Sequence, residues 1–326
     1  MSRHLLNETQ LEGLRAFRLA SSDGGLTTTF VPSAGMVGAS LTHGGEEVLA
    51  ARGGLAAYAE AGKTFGIPLL HPWANRVDDH RYRACDIDVD LKQVSQLVHT
   101  DANGLPIHGL AAGCPDWRVS ETAADDSSAR LAARLEVGPE SAMFPGFPFP
   151  HTLEMRVRLT GSGGGGRVVV EATLSATGNR PVPVTFGWHP YFQLPGVARR
   201  DWVVDFPVGR HYVLDPRSLP TGERKAVSIE KAPLGDRTYD DLFDELRPSP
   251  AGPPVFTLGG GGRRIAVSFE RGCPFAIVWA PPGNDLICFE PMAAATNALA
   301  TGWPELKLLQ PGESHVLRFA IEVDRV

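Results

Sequence analysis

Leu153-Glu154-Met155-Arg156-Val157-Arg158-Leu159-Thr160 decides the fold: apolar residues at 153, 155, 157 and 159 alternate strictly with charged or hydroxyl residues. A period of two puts one set on each face of an extended chain, so the stretch predicts a strand with one buried and one solvated face. The alternation returns at Val168, Val170, Ala172 and Leu174, after a glycine-rich tract at 161–166 that reads as the hairpin loop between them. That tract precedes neither a Lys-Ser/Thr pair nor a helical start, so it lacks the context of a phosphate-binding loop. Outward from this hairpin, strands are predicted at 131–137, 265–269, 275–279, 286–289 and 317–323. Residues 7–17 carry Leu11, Leu14 and Phe17 three apart, but Gly13 interrupts them, so helix and strand are equally open there. The 36 Gly and 27 Pro supply turn dihedrals and disfavour helices. Neither a fixed-period repeat nor an interdomain linker is visible, which points to one domain over residues 1–326: an all-β, large antiparallel β-sandwich.

Composition narrows the function classes. With 326 residues, 43% of them hydrophobic, the chain can bury a large core. Its formal net charge of −6 and lack of a basic run speak against nucleic acid as a partner. No secretory signal pattern opens the chain and no run approaches the roughly 18 apolar residues of a membrane span, so a soluble, cytoplasmic protein without a membrane partner is expected. Cys85, Cys114, Cys273 and Cys288 lie far apart without C-x-x-C or zinc-ligand spacing, and they read as free thiols.

Four blocks break the strand grammar by concentrating polar, aromatic and proline residues: 66–76, 105–110, 185–192 and 286–292. In the first, Leu70-His71-Pro72-Trp73-Ala74-Asn75-Arg76, the plain reading packs Trp73 into the core and leaves Arg76 on the surface. The second holds His108-Gly109, and a single histidine is more often packed or solvated than catalytic. The third, Gly187-Trp188-His189-Pro190-Tyr191-Phe192, frames one titratable group with aromatics and prolines, whose faces suit the C–H faces of a sugar ring. In the fourth, Glu290 ends the apolar strand Leu286-Ile287-Cys288-Phe289. Burial there would raise its pKa and make it a stronger base, and a purely structural Glu would need a specific partner. His4, His43, His80, His99, His151, His211 and His315 fall at turns or on alternating strands and read as structural or solvent-facing.

Taken in order, Pro72-Trp73-Ala74-Asn75-Arg76, His108-Gly109, Gly187 to Phe192 and Glu290-Pro291 resemble the hallmarks of the aldose 1-epimerase, or galactose mutarotase, family. The opening from Leu26 to Leu49, a strand, a turn at Gly35, a strand and a hairpin at Gly44-Gly45, is similar too, so the resemblance spans nearly the whole chain. It implies a β-sandwich of the galactose mutarotase type that interconverts the α and β anomers of a free hexose without metal or cofactor. It also implies roles: His189 as general acid, Glu290 as general base, His108 as a second ring-binding histidine, and Asn75, Arg76 and Asp240 as substrate-binding residues. Asp240 and its neighbour Asp241 both lie near the D-x-x-F spacing. The family's E-P-x-T-A-P-P-N stands here as Glu290-Pro291-Met292-Ala293-Ala294-Ala295-Thr296-Asn297, a departure that bears on loop shape and sugar preference.

The chemistry agrees with the resemblance, since mutarotation needs one group to take a proton from the anomeric hydroxyl and another to give one to the ring oxygen. The expected partner is a small-molecule sugar, the assembly a monomer or homodimer. Two alternatives stand beside this reading. A hexose 6-phosphate mutarotase would set several arginines around the pocket, and the motifs offer chiefly Arg76, with Arg81 and Arg83 nearby. A non-catalytic sugar-binding or sensor protein on the same fold would be expected to lose the acid or the base.

Overall fold

The computed structural model describes residues 3–250 and 252–326. The decisive stretch lies in the strand His151–Ser162, between Ala129–Val137 and Gly165–Ala176. Leu153, Met155, Val157 and Leu159 are almost wholly buried. Leu153 pairs with Leu135 and Leu174, and Met155 with Ala133 and Ala172, so apolar rows run unbroken across three strands. The connecting loop is shorter than expected. The strands consume most of the glycine tract and leave Gly163 and Gly164, with φ of 68° and 87°, as a two-residue turn whose positive dihedrals match the strand twist.

These strands belong to a nine-stranded sheet that runs from Arg118–Ala124, through Ser314–Arg325 and Arg263–Arg271, to Ala232–Pro233. Against it packs an eight-stranded sheet. Its order is Pro220–Ala226, Arg210–Leu214, Tyr239–Asp244, Phe275–Ala280, Ile287–Met292, Gly187–Trp188 and Leu69–Leu70, with Tyr191–Phe192 also pairing with Ile287–Met292. One apolar cluster joins the inner faces, taking Phe243, Val278, Ile287 and Phe289 from the second sheet and Leu153, Val170 and Phe319 from the first. The fold is therefore a large antiparallel β-sandwich.

The open question at residues 7–17 resolves as a hairpin, Leu5–Leu11 paired with Leu14–Ala20, which turns through Glu12 and Gly13, both at positive φ. It begins a five-stranded sheet. Among the elements the sequence reading did not predict are the strands Arg118–Ala124, Arg210–Leu214 and Val255–Gly260 and the helix Gly54–Ala61. The helix's Leu-Ala-Ala-Tyr-Ala-Glu-Ala run is rich in the strongest helix former, and Gly62 ends it at φ 60°, its N–H reaching the carbonyls of Ala57 and Tyr58. All four cysteines are free, and no helix among the described residues is long and apolar enough to cross a membrane.

Candidate active site

Strand alternation builds the floor of the site. In Ile287–Met292, Ile287 and Phe289 turn into the shared core, which leaves Cys288, Glu290 and Met292 on the opposite face. Glu290 does not end this strand, as the sequence suggested, but lies inside it, opposite Ile277. Register carries the face outward: Asp240 pairs with Trp279, Trp279 with Cys288, and Cys288 with Tyr191. One row across the sheet thus collects residues from four strands.

His189 follows the strand Gly187–Trp188 directly, its backbone N–H donating to Pro68 O at 3.2 Å. Gly187 is required there, because a Cβ would meet Met292 Sδ at 2.5 Å and Pro291 O at 2.8 Å. The imidazole Nε2 lies 3.2 Å from Glu290 Oε1 and 3.3 Å from the Tyr191 hydroxyl. Its ring stacks on Tyr191, with centroids 4.3 Å apart and planes at 5°, and the edge of Trp279 closes one side. Glu290 is 1% exposed and His189 6%, yet Glu290 Oε2 and His189 Nδ1 have no hydrogen-bond partner. A buried polar atom left unpaired costs roughly 1–3 kcal/mol, so one on each member of a contacting pair makes that pair a candidate for binding a polar ligand.

Burial sets the charge state. Desolvation drives the Glu290 carboxyl well above its ordinary range, helped by the negative charge of Asp240 and opposed by Arg76. Desolvation likewise drives the His189 imidazole well below its ordinary value, reinforced by His108 and the Arg52 guanidinium. A neutral imidazole beside a carboxylic acid is therefore favoured over an ion pair, and one proton transfer between Nε2 and Oε1 separates the two arrangements.

The remaining predicted residues converge on this pair. The His108 ring stands edge-on to His189, centroids 5.3 Å apart, and burial followed by the Arg76 charge pushes it down to about 3. Asn75 and His108 both adopt left-handed backbone, φ 58° and 66°, and the His108 N–H donates to Asn75 O at 2.9 Å, tying the two loops together. Arg76 is not a surface residue. Its Nε donates to Asp101 Oδ2 at 2.7 Å, one terminal nitrogen to Asn75 Oδ1 at 3.0 Å, and the other lies 3.9 Å from Asp240 Oδ2. Strand parity separates the two aspartates: Asp240 shares the face of Trp279, whereas Asp241 turns to the other face, with Oδ1 3.7 Å from His211 Nδ1. Arg81 and Arg83 instead pair with Asp90, Asp86 and Asp88 on an exposed hairpin.

The structure adds one charged residue that carries no motif. Arg52, in the loop before the helix, places its guanidinium 5.2 Å from the ring centres of both Tyr191 and Trp279 and donates to the Tyr191 hydroxyl at 3.1 Å. No carboxylate lies within 4.0 Å of it among the described residues. Thr64 completes the arrangement, its hydroxyl 2.6 Å from that of Tyr191.

Comparison with solved structures places this architecture in a known class. A galactose mutarotase-like protein from Clostridium acetobutylicum matches with a TM-score of 0.85 at 17% identity, each chain covered over 100% of its length. A GalM/aldose epimerase homologue from C. elegans matches with a TM-score of 0.73 at 15% identity, over 95% of this chain and 98% of the other. The Slr1438 protein from Synechocystis gives 0.72 at 20%, over 99% and 96%. At these identities the likeness shows the fold. The sequence itself matches the description "Aldose 1-epimerase" over residues 23–322, and the chain belongs to that family. No curated protein matches it in sequence.

Proposed function

We propose that this protein is an aldose 1-epimerase that equilibrates the anomers of a free hexose, with Glu290 and His189 as the proton-transfer pair. The observation that carries the reading is the buried contact of 3.2 Å between His189 Nε2 and Glu290 Oε1, with an unpartnered atom on each side chain. The anomeric hydroxyl and ring oxygen share one carbon, so two groups this close can address both. In ring opening, the Glu290 carboxylate takes the proton from O1, imidazolium His189 gives one to O5, and the C1–O5 bond breaks to leave an aldehyde. After rotation about C1–C2, the reverse transfers close the ring on either face. The open-chain stage leaves a carboxylic acid and a neutral imidazole, the charge state burial favours, so desolvation lowers the intermediate relative to the ionised pair.

Asp240, Asn75, Arg76 and His108 hold the hydroxyls in this scheme. Asp240→Ala should raise KM by about tenfold, the effect of losing a hydrogen bond to a charged group, while kcat falls less. Arg76→Ala should do the same and also lower the melting temperature, because it strips the buried Asp101 carboxylate of its 2.7 Å partner. A KM unchanged in both variants removes these residues from the binding site.

The unpaired guanidinium of Arg52 favours a second reading, a sugar bearing an anion such as a hexose 6-phosphate. Polarimetry of freshly dissolved α-glucose, α-galactose, α-mannose and their 6-phosphates decides between them. The first reading expects a free sugar to equilibrate fastest and Arg52→Gln to leave its KM within about threefold of wild type. A faster 6-phosphate whose KM rises about tenfold in Arg52→Gln would favour the second. If none of the six outpaces buffer, the enzyme reading is wrong and a non-catalytic sugar binder remains.

A further inference from the structure

Outside the pair already described, the interior holds a second contact between titratable side chains. His71 and His151 are each 1% exposed, and their Nε2 atoms lie 2.9 Å apart. His151 Nδ1 faces the Phe149 carbonyl oxygen at 2.6 Å, which only an N–H can satisfy. A neutral His151 must then present a bare Nε2, so His71 donates from its own Nε2–H and keeps an unprotonated Nδ1 that has no partner. The geometry fixes both tautomers.

The position of His71 gives this contact its meaning. Its carbonyl oxygen accepts from Leu110 N at 2.7 Å and Ala111 N at 3.0 Å, directly after the His108-Gly109 turn. The approach is so close that a Cβ on Gly109, at φ 74°, would come within 2.2 Å of that oxygen. Five residues on, Arg76 ends the same segment. The His71 ring points the other way, onto His151 at the start of the strand His151–Ser162. One residue thus joins both candidate sugar-binding loops to the nine-stranded sheet.

We infer that His71 and His151 form a hydrogen-bonded imidazole clamp that positions the loops carrying Asn75, Arg76 and His108, and that the clamp opens, exposing its rings to water, when the pair takes up a proton. An added proton, whether on His151 Nε2 or on the bare Nδ1 of His71, would place a cation on a pair that is 1% exposed. Nothing nearby would compensate the new charge. The rings face Phe147 and Phe186, a further imidazole, His315, lies across the Phe186 ring with Lys307 beside it, and among the described residues no carboxylate forms an ion pair with either ring. Burial accordingly lowers His151 to about 4 and His71 well below its ordinary value, so the clamp is closed at neutral pH. Unfolding takes up protons below the ordinary imidazole value of 6.5, and the stability this junction contributes falls as pH drops from there toward about 4.

The kinetic consequence rests on the proposed activity, whereas the clamp is tested without it, by amide hydrogen exchange and imidazole nitrogen shifts on the full chain. Protection at Leu110 and Ala111 should fall reversibly as wild type is acidified toward about 4, while core amides such as Val157 keep theirs. His151→Leu should lose about tenfold protection at those amides already at neutral pH, and should raise sugar KM about tenfold with kcat within about threefold. His151→Gln accepts the same hydrogen bond without titrating, so it should restore protection and abolish its acid dependence. Unchanged protection in folded His151→Leu overturns the clamp, as does acid dependence that persists in His151→Gln, or a His71 ring that is cationic or carries its proton on Nδ1 at neutral pH. A chain with this exchange pattern that equilibrates no sugar loses the activity and keeps the clamp. One that equilibrates sugars without it loses the clamp alone.

Discussion

Glu290→Gln should fold, bind sugar nearly as wild type does, and turn over at least about two orders of magnitude more slowly, the usual contribution of a positioned proton-transfer group. The amide keeps the side chain's shape and a hydrogen bond to His189, 3.2 Å away, but cannot take the O1 proton. The same variant should melt at a higher temperature at neutral pH. Because burial raises the folded carboxyl above its unfolded value of 4.5, the unfolded state ionises more readily, and wild type loses stability as pH rises beyond that value. A neutral amide is spared this loss. Its advantage should therefore shrink to nothing as pH falls to about 4.5, which melts at several pH values would show. Wild-type turnover in a folded Glu290→Gln would make the carboxyl structural and end the assignment.

His189→Asn should lower kcat by a similar factor, since the asparagine side chain does not ionise and cannot deliver a proton to O5. It also removes the ring that stacks on Tyr191, so KM should rise modestly. The double variant is the sharper measurement. In the proposed mechanism acid and base act in one transition state, so removing both should cost little more than removing either, as happens for groups that function as a unit. Losses that multiply in full, to about four orders of magnitude, would mean that the two side chains act independently.

Much of this was legible in the chain because period-2 alternation is local. Leu153 to Leu159 announced their strand, and the blocks around His189 and Glu290 announced themselves by breaking that grammar. What escaped depends on distance in sequence. Arg52 lies 139 residues from Tyr191 and carries no motif, so only the fold brings it to the site. His151 sits on an alternating strand like many other core positions, and its partner is 80 residues away. The choice between Asp240 and Asp241 is the opposite case. Neighbouring residues on a strand face opposite ways, so which of the two shares a face with Glu290 follows from the register with Phe275–Ala280. The helix Gly54–Ala61 was missed because its alanines yield a weak apolar stripe.

Glu290 stands mid-strand in the sheet and His189 immediately beside a strand, whereas Asn75, Arg76 and His108 come from connecting loops. In the proposed scheme the sheet thus holds the proton-transfer pair and Asp240, while loops hold the other sugar-contacting residues. On that scheme, replacing loop residues would retune the chain toward another pyranose while leaving the proton-transfer pair in register. For an engineer, that makes the loops the place to diversify and the sheet the place to leave alone.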